Sequence, residues 1–247
     1  MENYLIEHLT DLSAKTENQS IYTFSDFLSE DEQAKLLERK KELALFTFFG
    51  GTEGTERNMV RFGSEDILGY TLPFPIVCIF AEPLNKKFAD TLTHRDFLGS
   101  LMSLGIERSA IGDIIVKNNS AYIFCTEKIA PHLLDNLYKI KHTDIKCSVC
   151  ENIPSENLFE TQSLRLTVSS LRADCVTAAA AHLSRGKADE LFREKRVFIN
   201  GASCEKTDAV MKIGDKLSLR GIGKFRLTNI SGTSKKGKTI LEIEKYI

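Results

Sequence analysis

The sequence predicts an α+β chain built from several domains: a mainly helical N-terminal region over residues 1–70, a ferredoxin-like β-α-β-β-α-β domain over 71–160, and a compact basic domain over 161–247. Three observations predict it. The chain has 247 residues, enough for two or three domains of ordinary size. The hydrophobic period changes along the chain, from helical, to alternating strand and helix, to a helix pair followed by short strands. Charge is uneven: residues 164–247 carry 17 Lys or Arg against 9 Asp or Glu, and residues 1–163 carry 16 against 25. The formal net charge of −1 hides that asymmetry. Local clustering sets the field, so the C-terminal domain is expected to face a polyanion.

In the first 70 residues, Tyr4, Leu5, Leu9 and Leu12 recur at helical spacing. A second helix is expected to open at Ser29, with Glu32 where a capping box needs it, and to run through Leu36, Leu37 and Leu43. Gly50, Gly51 and Gly54 then punctuate a turn before a strand at about Asn58–Phe62. This region is acidic, with 14 Asp or Glu against 7 Lys or Arg.

The middle domain opens with the apolar run Ile76 to Ala81, which has strand length. Thr93-His94-Arg95-Asp96 caps a helix whose buried stripe is Phe97, Leu98, Leu101 and Leu104, ended by Gly105. Gly112–Val116 and Ala121–Cys125 read as a hairpin turning at Asn118-Asn119. Leu133, Leu134, Leu137 and Ile140 mark another helix, and Ile145–Cys150 a last strand. That order is the ferredoxin-like one, shared by many RNA-recognition modules. The glycine-aromatic strand motif of the common RNA-recognition motif is missing.

After a linker near Glu156–Thr161, Leu164, Leu166 and Val168 alternate as a strand. Helix one is expected over Leu171–His182, packing closely through its alanines. Helix two is expected over Arg185–Lys195, capped by Ser184, with Ala188, Leu191 and Phe192 inward. Strands follow at Val197–Ile199, Lys216–Arg220, Phe225–Ile230 and Thr239–Ile243. Asn200-Gly201 supplies a tight turn because both residues tolerate positive φ.

The cations of this domain mark its polar side. Arg185 and Lys187 lie at the start of helix two, where exposed amides and the helix dipole also favour a phosphate. Arg172 opens helix one, and Arg193, Lys195 and Arg196 close helix two. Asn200, Lys206, Arg220 and Lys224 complete the expected RNA surface. Arginine suits phosphate because its fork donates parallel hydrogen bonds. A cationic helix face is often only solvated, but here the excess persists over a whole domain. Secondary RNA contacts are expected at Arg57, His94, Arg95, Lys235, Lys236 and Lys238.

Leu171–Lys224 resembles the S4-type RNA-binding domain. The matching elements are Leu171-Arg172-x-Asp174, Ser184-Arg185-x-Lys187-Ala188, Val197-x-Ile199-Asn200-Gly201 and Lys212-x-Gly214-Asp215. Three further segments are similar to the signatures of the bacterial and plastid YlmH-type S4 proteins. These are Gly50-Gly51-x-x-Gly54-x-Glu56-Arg57, Leu92-Thr93-His94-Arg95-Asp96-Phe97-Leu98-Gly99 and the stretch from Leu104 to Ile114. Thr52 departs from the pattern, standing where an aromatic is common. The resemblance implies an N-terminal region, a ferredoxin-like RNA-binding domain and a C-terminal S4 domain. It also implies structured rRNA and tRNA as partners, association with the large ribosomal subunit, and a role in rescuing subunits obstructed by peptidyl-tRNA.

Other chemistries fit less well. His94 and Asp96 are two apart on a helix and do not face each other. Cys147 and Cys150 would point to opposite faces of a strand, with no second suitably spaced pair, so no metal is expected. The glycine loops lie outside the strand-to-helix context of a nucleotide fingerprint, and no cofactor is expected. The catalytic Gly-Arg-Leu-Asp motif of pseudouridine synthases is absent. The expectation is therefore a cytoplasmic, non-enzymatic RNA-binding protein with reduced thiols and no membrane span. The rival classes are an RNA-modifying enzyme with an unrecognised site, and an adaptor linked to cell division whose acidic N-terminal region binds a protein.

Overall fold

The computed structural model describes residues 2–151, 153, 158–159, 161–234 and 237–246. The chain divides into two compact units, Met1–Leu158 and Phe159–Ile247. The described residues form an α+β protein whose three sheets are all antiparallel.

The first unit begins with α1 (Glu2–Gln19), whose Leu9 is fully buried and flanked by Leu5 and Leu12. After β1 (Thr23–Phe24) comes α2 (Glu30–Glu38). Its capping box is formed: the Ser29 N–H donates to Glu32 Oε2 at 2.6 Å, and the Glu32 N–H donates to Ser29 Oγ at 3.4 Å. This helix stops at Glu38, short of the expected Leu43. Arg39 leaves helical geometry at φ −99° and ψ 11°, and a single 3-10 turn follows at Lys40–Glu42. Leu43 still packs against the core, but from extended backbone. The Ala44 N–H donates to Ser13 of α1 at 2.8 Å, which steers the chain into β2 (Phe46–Phe49).

β2 pairs with β3 (Met59–Phe62), and a short α3 (Glu65–Leu68) follows. The strand order is β1-β3-β2. Residues 1–70 thus hold a small sheet beside their helices. The four-residue β2 is too short to register as a period in the sequence. It forms because Phe46 and Phe48 pack beside Val60 and Phe62 on the core with α1 and α2.

The rest of the unit runs β4 (Ile76–Pro83), α4 (His94–Ser103), β5 (Ile111–Lys117), β6 (Ser120–Thr126), α5 (Ala130–Asn136), β7 (Lys139–Ile140) and β8 (Thr143–Val149). The strand order is β5-β6-β4-β8-β7. One face of this sheet packs on α4 and α5 through Ile79, Ala81, Phe97, Leu101, Ile123, Leu133 and Ile145. Asn118 and Asn119 both take positive φ, 49° and 63°, as the tight β5–β6 turn requires. α5 is shorter than its apolar spacing suggested: Asn136 Nδ2 donates to the His132 carbonyl at 2.9 Å, and Ile140 joins β7 instead.

The second unit holds β9 (Thr161–Val168), α6 (Ala173–Ala180), α7 (Arg185–Arg193), β10 (Val197–Ile199), β11 (Ala202–Ser203), β12 (Lys216–Leu219), β13 (Gly223–Thr233) and β14 (Thr239–Tyr246). Its sheet runs β11-β10-β12-β13-β14-β9. Val176, Ala180, Leu191 and Phe192 of the helices share a core with Val197, Leu217, Leu227 and Leu241 of the strands. α6 is tighter than the expected Leu171–His182. Arg172 is extended (φ −63°, ψ 143°), and His182 at φ 54° breaks the helical path beyond the end.

Candidate nucleic-acid interface

In the second unit the helix pair sets the cations. α6 is buried almost throughout, because Ala173, Ala178 and Ala180 let it lie close to its neighbours. It therefore offers little polar surface beyond its start. There Arg172 forms an in-chain pair with Asp174, Nε to Oδ1 at 3.1 Å. That contact holds the Arg172 guanidinium above its ordinary range and, with backbone donation from Cys175, keeps the Asp174 carboxyl low despite partial desolvation.

α7 is amphipathic. Ala188, Leu191 and Phe192 are buried, and Arg185, Lys187 and Arg193 are exposed. Ser184 Oγ accepts the Lys187 N–H at 3.4 Å, which caps the helix start. Arg185 Nη2 donates to Ser169 Oγ at 2.6 Å and approaches Cys175 Sγ at 3.6 Å, so its fork is held in place while the residue stays open to solvent. Among the described residues no ion pair engages Lys187. Arg193 lines a shallow groove of about 410 Å³ with Arg172, Asp174, Asp189, Glu205 and Thr207. Mixed charge makes that groove less suited to a phosphate than the helix start.

The remaining cations form a second group on the strand side. Lys195 Nζ pairs with Glu205 at 2.8 Å. Arg196 pairs with Glu194 at 2.9 Å and donates through Nη2 to the Arg220 carbonyl at 2.8 Å. The Arg220 guanidinium lies 5.3 Å from the centre of the Phe198 ring. Asn200 takes φ 51° at the β10–β11 turn, donates to Asp215 at 2.8 Å and accepts the Lys216 N–H at 2.9 Å; its side chain shapes the turn. Lys206 and Lys238 are exposed, and Lys224 is half-buried in β13. Lys235 and Lys236 lie outside the described residues.

In the first unit, the segments singled out around Arg57, His94 and Gly112 converge. Arg57 points inward: Nε donates to the Ile111 carbonyl at 3.0 Å, and Nη2 to the carbonyls of Phe27 at 2.9 Å and Arg108 at 3.2 Å. It is a clasp between the N-terminal elements and the start of β5, not an open phosphate ligand. Asp113 accepts the backbone N–H groups of Glu56 and Arg57. Burial pushes the Asp113 carboxyl up, against those hydrogen bonds. Burial, and then the neighbouring Arg57, brings Arg108 down to about 10. Partial burial and Arg108 lower His94, which stays outward with Arg95 at the start of α4. Arg108 and Asp113 lie in the Leu104–Ile114 segment that carried the resemblance, but sequence assigned them no role, because only the fold sets them against Arg57.

Gly51 (φ +104°) lies against the Phe124 ring, where any side chain would collide, and a Cβ on Gly112 would meet the Phe27 ring at 2.6 Å. Cys147 lies in β8, where its thiol reaches the Leu137 carbonyl at 3.3 Å, and Cys150, just past the end of β8, donates its N–H to the Cys78 carbonyl at 2.8 Å. Among the described residues no group of His, Cys, Asp and Glu has the makings of a metal site. None of their helices is long and apolar enough to cross a membrane.

Residues 77–153 match the family described as "Putative RNA-binding domain in YlmH". The chain is 27% identical over 253 aligned positions to the "Ribosome-associated protein quality control protein P2" of Bacillus subtilis (strain 168), covering 99% of this chain and 95% of that one. The solved structure of "Cell division protein ylmH from Streptococcus pneumoniae" aligns with a TM-score of 0.49 and 22% identity, over 60% of this chain and 90% of that chain. The resemblance to the YlmH-type proteins carried by the sequence motifs is borne out by the family match and by the near full-length relative.

Proposed function

We propose that this YlmH-like chain is a non-enzymatic, cytoplasmic RNA-binding protein that grips structured rRNA or tRNA on the large ribosomal subunit. Its role on this reading is quality control of subunits obstructed by peptidyl-tRNA. The RNA-binding family match and the name of the Bacillus relative support the general direction. The observation that carries the reading is the exposed start of α7, where Arg185 and Lys187 flank a Ser184-capped helix end. On this reading residues 71–160 are a ferredoxin-like domain, supported by the order β5-β6-β4-β8 around two crossover helices. Residues 161–247 are the S4-type domain. Lys195, Arg196 and Arg220 extend its RNA surface along the strand side.

The test changes Arg185 and Lys187 together to Ala, with Lys40→Ala/Lys41→Ala as the charge-matched control. Affinity for tRNA and for purified large subunits is measured beside thermal melting. The Arg185/Lys187 variant should lose about 1–3 kcal/mol of binding, the usual size of charge-assisted bonds, and keep its melting temperature. An equal loss in the Lys40/Lys41 control would mean that binding follows overall charge, and the α7 surface would not be the site.

A further inference from the structure

Among the described residues α4 and α5 pack on one face of the five-stranded sheet, and the centre of the opposite face is aromatic, with Ile115, Cys78, Phe124 and Ser120 buried around the two rings. Alternation along β4 and β6 sends Ile79, Ala81, Ala121 and Ile123 into the helix-covered core. Phe80 and Tyr122 therefore point the other way. They are direct cross-strand partners, with ring centres 4.9 Å apart and planes tilted by 45°. Both are half-buried, so part of each ring meets solvent.

Their surroundings are polar and cationic on one side. Ser148 stands opposite Phe80 on β8 and is exposed. In the next row along the strands, Lys117 stands opposite Ser120 and Lys146 opposite Glu82. Lysines thus sit at both outer strands of the row beside the rings. The carboxylate in that row, Glu82, is paired with Lys86 at 3.2 Å. The opposite end is closed by the Gly51 turn against Phe124.

We infer that this face takes a single-stranded RNA segment, with bases stacking on Phe80 and Tyr122 and the phosphates running along the Lys117–Lys146 row. Aromatic rings on the central strands of such a sheet meet bases that a duplex would keep stacked internally, so the ligand is single-stranded. An apolar protein partner would leave the flanking lysines and Ser148 facing its surface, whereas a phosphate chain uses them. The inference rests on the RNA-binding reading of residues 77–153 but not on the α7 surface, so the two fail separately.

The test uses the full chain with two probes, a short fluorescein-labelled single-stranded RNA of mixed sequence and an RNA hairpin. The Phe80→Leu/Tyr122→Leu variant keeps apolar bulk and removes both rings. Its single-strand affinity should fall about tenfold or more, the usual size of a lost base–aromatic stack, while Tyr122→Phe should bind as the parent does. Unchanged single-strand affinity in the Leu variant, or no single-strand binding by the parent, overturns the inference and leaves the α7 reading standing. Hairpin affinity that ignores Arg185→Ala/Lys187→Ala while the Leu variant loses the single strand keeps the stacking face and rejects the α7 surface. If the Leu variant does not fold, photo-crosslinking of bromouridine RNA to the unaltered chain decides. Adducts on peptides holding Phe80 or Tyr122 support the face, and adducts confined elsewhere overturn it.

Discussion

Arginines that look alike in the sequence differ in what their neighbours leave open. Arg57 gives its donors to three backbone carbonyls, while Arg185, itself exposed, donates to the side chains of Ser169 and Cys175. Asp96 shows how a cap can also tie together distant parts of the chain. It accepts from the Thr93 N–H at 2.8 Å and hydroxyl at 2.7 Å, and pairs with Lys141 at 2.8 Å. Lys141 and then Thr93 hold its carboxyl down to about 2, below the ordinary 3.8. A depressed carboxyl contributes stability that is present above 3.8 and is lost as pH falls through about 2. Asp96→Asn should therefore melt lower than the parent at neutral pH, and the gap should close on acidification through that window. A gap that stays constant from neutral to acid pH would show that the Asp96 charge adds nothing.

At the scale of elements, the turns decide how the first unit is clasped. The Gly50–Arg57 turn lies over the end of β6, and Gly51 allows the close approach to Phe124 at a φ that other residues rarely adopt. Gly51→Ala should destabilise the chain by about 1–3 kcal/mol, the scale of strained backbone. Gly99 makes the opposite case: it lies in α4 with nothing within 4 Å of a built Cβ. Gly99→Ala should stabilise by about 0.5–1 kcal/mol through helix propensity. Urea unfolding of both variants reads the two signs; equal effects would mean that the turn does not pack as described. Ser29, Thr93 and Ser184 announce the starts of α2, α4 and α7 in the sequence, because a cap is a local hydrogen bond. The ends of α2 and α5 were not legible, because distant contacts stop those helices before their apolar spacing runs out.

Over the whole molecule, opposite charge is segregated along the chain, with the positive excess in residues 164–247. Counterion release should then dominate affinity, so binding of structured RNA should weaken steeply as salt rises. Arg185→Ala/Lys187→Ala should flatten that dependence as phosphate contacts are lost. Titrations across a salt series check this, and an affinity indifferent to salt would contradict an electrostatic grip. The acidic remainder of the chain would oppose non-specific adhesion to RNA, which favours binding where shape also fits.

The sequence by itself determined what depends on near neighbours. It set the α+β character, the succession of β4, α4, β5, β6, α5 and β8, the starts of α2, α4 and α7, the Asn118-Asn119 and Asn200-Gly201 turns and the basic C-terminal domain. These follow from period, caps and turn residues, whose physics acts over a few positions. Tertiary structure alone decided what depends on residues far apart in the chain. It paired the short β2 with β3, turned Arg57 inward against Ile111 and Arg108, and brought Asp113 beneath the Glu56 backbone. It also set Phe80 beside Tyr122, 42 positions apart, on the sheet face opposite α4 and α5. A single aromatic in a strand has no visible partner in sequence; its meaning comes from register, and register is fixed only when the sheet closes on its core.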